Sequence, residues 1–152
     1  MATVDEIQAK LTALINNLSP QARRSLGRKI GQALRKSQAN RIARQQNPDG
    51  SAFEPRKPRK DFRKKQGRIK RKAMFAKLRT AQHLKVRSNG NEVSVGFNGA
   101  SAAIAAVHQY GLTAQPSKEK DFKVRYAQRE LLGFSESDVE LIEGLILEQL
   151  SI

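Results

Sequence analysis

The side chains that most often perform chemistry in proteins are few in this chain and stand apart. Its 152 residues include two histidines, His83 and His108, and no cysteine. Thiol catalysis, disulfides and thiolate metal sites are therefore excluded. Neither histidine has carboxylates at the spacing of a metal or catalytic site, and a lone histidine is more often structural. We expect no catalytic site, no metal site and no cofactor.

Two glycine-containing stretches also lack the features of phosphate-binding loops. The stretch "RSLGRKIG" has no Gly-Lys-Ser/Thr ending, and "GFNGAS" has no lysine and no strand–loop–helix context. No pair of carboxylates stands out as a general acid and base. The sequence therefore predicts a protein that is not an enzyme.

Charge is the strongest signal in the composition. The formal net charge is +15, and it is unevenly spread. Residues 23–72 hold 19 Lys/Arg against 3 Asp/Glu, whereas residues 134–152 hold 5 Asp/Glu and no Lys/Arg. Such a chain attracts nucleic acid, an anionic surface or an acidic protein. A basic region and an acidic tail in one protomer also suit charge-complementary contacts between neighbouring copies.

The densest positive charge follows the turn signal "NPDG" and runs from Arg56 to Lys72. Asp61 is the one acidic residue in that stretch, which holds enough charge to neutralise several DNA phosphates. Its aromatic residues are too few for a base-stacking platform, and no DNA- or RNA-binding motif is visible. On charge alone, a nucleic-acid-binding arm and a flexible loop that orders on a protein partner both stay open.

Two helices are predicted at the N-terminus. Thr3 and Glu6 form a capping box for the first, whose apolar residues recur at helical spacing. Ser19 and Pro20 begin the second, which is predicted to run to about Gln46. We expect the basic residues of this second helix to cover the surface outside its apolar stripe: Arg23, Arg24, Arg28, Lys29, Arg35, Lys36, Arg41 and Arg44.

A β-hairpin is predicted in "LKVRSNGNEVSVGF", with Asn89–Gly90 as a two-residue type I′ turn. That turn pairs Val86 with Val93 and Leu84 with Val95, all on one face of the ribbon. Before the hairpin, "KAMFAKLRTAQHL" is either a short helix or the lead-in to a strand.

Beyond the hairpin, "ASAAIAAVHQYG" is predicted to be a helix ended by Gly111. The stretch "LTAQPSKEKD" is interpreted as a polar loop and "FKVRYA" as a strand. Ser135 caps an acidic C-terminal helix from Glu136 to about Leu150.

These elements predict an α+β fold: N-terminal helices, a small antiparallel sheet with a β-hairpin near residues 84–97, and an acidic C-terminal helix. Residues 1–152 are interpreted as one domain, with a basic arm or loop of irregular structure at about 47–72. No apolar stretch approaches the roughly 20 residues that span a bilayer, and the N-terminus lacks the shape of a signal peptide. We expect a soluble protein made in a cytoplasm.

Three stretches carry a resemblance to a known family. "QQNPDGSAFEPRKPR" at 45–59 is similar to the signature Q-x-x-P-D-G-x-x-[FW]-x-P, and "VHQYGL" at 107–112 is similar to a His-x-x-Gly segment. "RYAQRELLGFSESD" at 125–138 is similar to Y-P-A-R-P-x-L-G-x-S, with Ala127 and Glu130 where prolines often stand. In this order, and over nearly the whole chain, they resemble the phage virion morphogenesis family, the tail-completion proteins of temperate contractile-tailed phages.

The resemblance implies a structural protein that completes the tail at its head-proximal end and enables head–tail joining. The implied partners are copies of itself in a ring, with a hexamer as one form, the tail tube or sheath, and neck or connector proteins. Non-specific contact with DNA is a further expectation. The implied location is the virion tail or neck, and the host cytoplasm during assembly. The alternative is a basic nucleic-acid-binding protein.

An assembly interface is predicted at the motif residues and along the basic arm. Pro48, Asp49 and Gly50 are expected to set the direction in which the arm leaves, with Gly50 at positive φ. Phe53 is interpreted either as an anchor in an apolar pocket or as ordinary local packing. The predicted interface residues are Pro48, Asp49, Gly50, Phe53, Arg56, Arg59, Arg63, Arg68, Arg71, His108, Gly111, Arg129, Leu132 and Gly133.

Overall fold

The computed structural model describes residues 4–56, 73–116 and 121–150. In chain order the elements are α1 (Val4–Asn16), α2 (Pro20–Ala43), β1 (Leu84–Ser88), β2 (Val93–Phe97), α3 (Gly99–Tyr110), β3 (Thr113–Ala114), β4 (Val124–Arg125) and α4 (Glu136–Leu150). Strands β1 and β2 pair antiparallel, as do β3 and β4. The predicted α+β class is confirmed. Most of the predicted basic arm, residues 57–72, lies outside the described residues, as does Thr3.

None of the helices in the described ranges has both the length and the apolar character to cross a membrane.

Helix α2 begins as predicted and ends three residues early. The Ser19 hydroxyl accepts a hydrogen bond from the backbone N–H of Ala22 at 3.1 Å. The helix ends at Ala43 because Gln45 has a left-handed backbone, with φ of 58°. The Gln45 amide donates to the carbonyls of Ile42 and Met74, and its oxygen accepts from the Met74 N–H at 2.8 Å. The residue that ends α2 therefore also fixes the chain just beyond residue 72.

The predicted hairpin is present, but its register is shifted by two residues. Val86 pairs with Val95 rather than Val93, and Leu84 pairs with Phe97. Since strand side chains alternate with a period of two, a shift by two leaves the same residues on the same face. The predicted buried face of the hairpin therefore survives the wrong register.

The turn of the hairpin is not type I′, because Gly90 does not have a positive φ. Instead, the Asn89 side-chain oxygen accepts hydrogen bonds from the backbone N–H groups of Asn91 and Glu92 at 2.8 and 2.9 Å. A side chain that caps its own turn competes with the backbone pattern expected from Asn–Gly. This local competition explains the wrong register.

One cluster of buried side chains joins α2 and α4 to the hairpin. Its buried members are Leu26, Ile30, Leu34 and Ile146. The helix and the ribbon approach most closely at Gly31, where a Cβ atom would collide with the side chains of Val86 and Val93. Any larger residue at this position would force α2 away from the hairpin.

A second buried cluster joins parts of the chain that lie far apart in sequence. It consists of Ile42, Phe53, Met74, Ala105 and Leu131. These residues come from the end of α2, the stretch after the "NPDG" turn, the chain after residue 72, α3, and the segment before α4. Two of the recognised motif stretches, 45–59 and 125–138, therefore share one core with α3, the helix that leads into the remaining stretch.

The remaining predictions are mostly confirmed. Residues 73–83 form turns that lead into β1, so the lead-in to a strand was the right alternative. Gly111 caps α3 with φ of 64°. The predicted polar loop was wrong at Thr113–Ala114, which pairs with Val124–Arg125; only those two residues of the predicted strand "FKVRYA" belong to it.

Candidate functional site

The three motif stretches meet through hydrogen bonds between side chains and backbone. The Gln109 side-chain oxygen accepts from the N–H groups of Leu131 and Leu132 at 2.9 Å, and its nitrogen donates to the Leu132 carbonyl at 2.8 Å. The Glu130 N–H donates to the side-chain oxygen of Asn47 at 2.8 Å. The third stretch is therefore bound to both of the others. We call residues 45–56, 107–112 and 125–138 the motif junction.

Arg129 is the central cation of the motif junction, and 5% of its surface is exposed. Its Nε donates to the carbonyl of Glu54 at 2.7 Å, and one Nη donates to the carbonyl of Pro55 at 3.1 Å. The planar guanidinium can hold two consecutive carbonyls at once, which an ammonium group cannot copy. Burial lowers the pKa of Arg129, against the opposing effect of Glu54. Arg129 thus fixes the backbone immediately before the basic arm.

His108 lies beside Arg129 in a row of aromatic contacts. Its ring centroid is 4.7 Å from that of Phe75 and 5.1 Å from that of Tyr126. Burial, and then the charges of Arg129 and Arg56, lower the pKa of His108 to about 4. The ring is therefore neutral near pH 7, and its Nδ1 faces an Arg129 Nη nitrogen at 3.3 Å. Because a guanidinium can only donate, Nδ1 is the acceptor here.

The "NPDG" turn has an exposed tip. The N–H of Gly50 donates to the Asn47 carbonyl at 2.9 Å, and the N–H of Ser51 donates to the Asp49 carboxylate at 2.8 Å. Hydrogen bonds from Ser51 lower the pKa of Asp49. Gly50 has φ of 91°, so its predicted positive φ is confirmed. Asp49 and Gly50 are both exposed, so the tip is available to a partner.

Phe53, which follows the turn, is 4% exposed and packs within the second core cluster. Its ring meets the edge of Phe75 with 5.8 Å between centroids. Phe53 therefore packs within its own chain, and a role in the assembly interface stays a prediction. Phe53 and Phe75 lie on either side of residues 57–72 in sequence, so their contact joins the parts of the chain before and after that stretch.

Arg41 lies beneath the motif junction, so the prediction that it covers the surface of α2 was wrong. It is 3% exposed and donates to the carbonyls of Gln46, Glu130 and Leu131 at 2.9 to 3.1 Å, and to the side-chain oxygen of Gln38. Burial lowers the pKa of Arg41, while Asp138 raises it. The guanidinium satisfies carbonyls that would otherwise be buried without partners.

Asp138, in the first turn of α4, is the buried anion near Arg41. It accepts hydrogen bonds from the Ser37 hydroxyl, the Gln38 amide and the Ser135 N–H, and its own N–H donates to the Ser135 hydroxyl at 3.1 Å. The exchange with Ser135 is a capping box. Burial alone raises the pKa of Asp138, but the hydrogen bonds from Ser37 and Ser135 and the charge of Arg41 bring it below its usual value. The start of α4 is thereby fixed to α2.

Comparison with known proteins indicates the same family as the three motifs. The model of the phage virion morphogenesis family matches residues 2–151. The chain belongs to this family. One relative is tail completion protein S of Escherichia phage P2, which is 44% identical over 142 residues, covering 93% of this chain and 93% of that protein. No solved structure matches the chain.

Family membership confirms the resemblance seen in the three motifs, and the fold explains why they occur together. Pro48 of the first motif lies against Gly133 of the third, and Gln109 of the second holds the backbone of the third. The family's signature residues in this chain thus serve to assemble one junction. Their side chains bring together segments that lie far apart in sequence.

The predicted interface residues divide into four groups. Asp49, Gly50 and Arg56 are exposed, while Phe53 and Arg129 are buried in the chain's own core. Half-buried positions in the junction are Pro48, His108, Gly111, Leu132 and Gly133. Arg59, Arg63, Arg68 and Arg71 lie outside the described residues. Contact of any of these residues with a partner stays a prediction.

Sequence reasoning missed the polar side chains that join the motifs. Gln38 and Arg41 follow Leu34 at helical spacing, so the 3.6-residue period places both on the buried stripe of α2. The helical period therefore indicates burial of Gln38 and Arg41, whereas their polar side chains favour a position in solvent. Gln109 and Asn47 lie in the recognised motifs, but the sequence does not indicate their partners, which lie 23 and 83 residues away.

Within residues 4–56, 73–116 and 121–150, no group of three His, Asp or Glu side chains is placed to hold a metal ion.

Proposed function

We propose that this chain completes the phage tail and makes it competent to join the head. The observation that carries the proposal is 44% identity over 93% of both chains to a protein named for tail completion. The protein acts as a structural component of the virion tail.

The motif junction supports a role in presenting the basic arm to a partner. Arg129 holds the carbonyls of Glu54 and Pro55 before the arm, and Gln45 holds both backbone groups of Met74 after it. Phe53 and Phe75, which are adjacent in sequence to Glu54 and Met74, are in contact with each other. When the residues on either side of a binding segment are already fixed, less entropy is lost on binding than when those residues must also be ordered. The buried motif residues therefore serve assembly by fixing where the arm starts and ends.

The partners in this proposal are further copies of the chain and the neighbouring tail and neck proteins. Copies form a ring at the head-proximal end of the tail, a hexamer in the form that the family resemblance implies. The exposed tip at Asp49 and Gly50, together with Arg56 and the arm that follows, forms the contact surface. Assembly takes place in the host cytoplasm, and the finished ring stays in the virion.

Binding to nucleic acid is the second candidate function, and the positive charge of residues 57–72 favours it. Ten Lys/Arg against one acidic residue in that stretch would give DNA binding a steep dependence on salt. Replacing Arg59, Arg63, Arg68 and Arg71 with Lys separates the two functions. The replacement keeps the charge, so DNA binding would persist, whereas planar contacts to a protein partner would be lost.

The proposal is tested with a phage that carries an amber stop in this gene. Micrographs of a lysate from a non-suppressing host should show filled heads and separate tails. Expression of the wild-type chain in that host should restore joined particles. Normal virions without the chain would overturn the proposed function.

A further inference from the structure

We propose that the basic face of α2 binds the acidic face of α4 in a second copy of the chain. The inference rests on the proposed function and deepens it, because it assigns the surface through which copies of a tail-completion protein associate. Apart from Glu136, it uses residues outside the motif junction.

The solvent face of α2 is basic along its length. The helix contains no acidic residue. Arg24, Arg28, Lys29 and Lys36 are exposed, and Arg35 is half-buried. Arg28 and Arg35 are seven residues apart, so they lie on the same side of the helix, roughly 10.5 Å apart along its axis. This face presents several cations on a rigid scaffold.

The solvent face of α4 has the opposite charge and a matching spacing. The helix contains no basic residue. Glu136, Glu140 and Glu143 are exposed and follow one another at intervals of four and three residues, and Leu147 continues the same stripe with 57% of its surface exposed. Glu136 and Glu143 are again roughly 10.5 Å apart along the axis. The two stripes therefore have the same spacing along their helices and carry opposite charges.

Within the described part of one protomer, the charges of these two faces do not pair with each other. Helices α2 and α4 pack through apolar side chains such as Leu34 and Ile146, so their charged faces point away from the contact. Among the residues that the structure describes, no hydrogen bond or ion pair joins Glu136, Glu140 or Glu143 to the cations of α2. Glutamates four residues apart repel each other and weaken an isolated helix. A cationic partner from another copy would remove that cost.

A second copy fits these faces better than nucleic acid does. DNA would neutralise α2 but would leave the acidic stripe unpaired and be repelled by it. A second copy satisfies both stripes and covers Leu147, an exposed apolar side chain that DNA would not cover. In the proposed arrangement each copy binds one neighbour through α2 and a different neighbour through α4, so the contact is heterologous and repeats from copy to copy. Such contacts close into rings or extend as filaments, as an assembly at the end of a tail requires.

Charge reversal on the full chain tests the inference. One variant carries Arg28→Glu and Arg35→Glu, and another carries Glu140→Lys and Glu143→Lys. Lys85→Glu with Arg87→Glu, both exposed on β1, reverses as much charge elsewhere and serves as the control. Self-association is measured by sedimentation velocity at low salt, and circular dichroism confirms that each variant is folded. Should a reversed variant not fold, the glutamine versions of the same residues replace it.

We expect wild type and control to self-associate, and each reversed variant alone to do so at least about tenfold more weakly, a factor that corresponds to the loss of close charge pairs. An equimolar mixture of the two variants should regain self-association, because each offers the charge that the other lacks. A single chain carrying all four reversals should also regain it. No recovery in either case would overturn the inference.

Two further outcomes would also count against the interface. If neither charge reversal changes self-association, the contact between copies lies elsewhere on the chain. The proposed function would still stand in that case if the wild-type chain restored head–tail joining. Loss of DNA binding by the α2 variant without any change in self-association would assign this face to nucleic acid. Failure of the wild-type chain to restore joining would instead overturn the proposed function.

Discussion

Gly133 lies so close to Pro48 that a Cβ atom on the glycine would be 2.5 Å from the proline Cγ. This contact joins the "NPDG" turn to the segment that leads into α4. The proline ring is stiff, and the turn that carries it is held by its own hydrogen bonds. Neither side can yield without moving the motif junction.

Gly133→Ala should therefore destabilise the protein by about 1–3 kcal/mol, as overpacking of a tight contact does. The matched control is Gly144→Ala in the exposed part of α4, where a Cβ meets nothing within 4 Å. That change should stabilise the protein by about 0.5–1 kcal/mol through helix propensity. Urea unfolding measures both, and equal stability of the two variants would show that the Pro48 contact is not tight.

Gly50→Val should impair assembly more than it destabilises the fold. Gly50 has φ of 91° but open space around its Cα, so a side chain meets backbone strain and no collision. A left-handed conformation costs an ordinary residue about 1–2 kcal/mol, and a change in the turn would redirect the chain toward Arg56. Gly90→Val, at an open position without positive φ, is the control. Thermal unfolding and the yield of joined particles are compared, and full assembly by Gly50→Val would show that the turn has no role in it.

Arg129→Lys should destabilise the protein although it keeps the charge. The ammonium group cannot hold the carbonyls of Glu54 and Pro55 together, and each lost hydrogen bond is worth about 0.5–1.5 kcal/mol. We expect a total loss of about 1–3 kcal/mol in urea unfolding. Arg125→Lys, on the exposed side of β4, should change stability little. If Arg129→Lys is as stable as wild type, the hydrogen bonds from Arg129 to the carbonyls of Glu54 and Pro55 do not stabilise the fold.

Acid should weaken the fold through His108. Its pKa is about 4 in the folded protein and 6.5 in the unfolded chain, so the unfolded state binds more protons between these values. The contribution of His108 to the free energy of unfolding is fully present above about pH 6.5 and is lost as the pH falls towards 4. His108 is half-buried and partly screened by water, so we expect a loss of about 1–2 kcal/mol.

The measurement is the free energy of unfolding at several values between pH 7 and pH 4, for wild type and for His108→Gln. Protonation of carboxylates such as Asp138 contributes to both proteins and cancels in the comparison. The wild-type curve should fall more steeply between pH 6.5 and pH 4. Parallel curves would mean that His108 does not titrate differently in the two states.

The helix ends could be predicted from the sequence where capping residues mark them. Ser19 and Ser135 cap their helices, and Gly111 ends α3, because each acts on neighbouring backbone groups. The hairpin was predicted with the right face and the wrong register, since the Asn89 side chain competes for the turn. A short stretch of sequence does not decide between two turn conformations whose free energies are similar.

The interior of the motif junction could be predicted only in part. Motif resemblance identified the three stretches, but their convergence depends on pairs such as Arg129 with Glu54, which are 75 residues apart. Arg41 was placed in solvent because a buried cation is rare unless many acceptors surround it. The carbonyls that surround it belong to segments whose position no local pattern fixes.

The most direct test of the proposed function is a joining assay with purified protein. A lysate lacking the chain, and containing filled heads and separate tails, is mixed with the wild-type chain, with Arg129→Lys or with buffer, and plaque-forming particles are counted. We predict that the wild-type chain raises the count at least about a hundredfold over buffer, as expected when one missing part blocks assembly, and that Arg129→Lys restores less because its arm is held less firmly. An unchanged count with folded wild-type protein would contradict a role in tail completion.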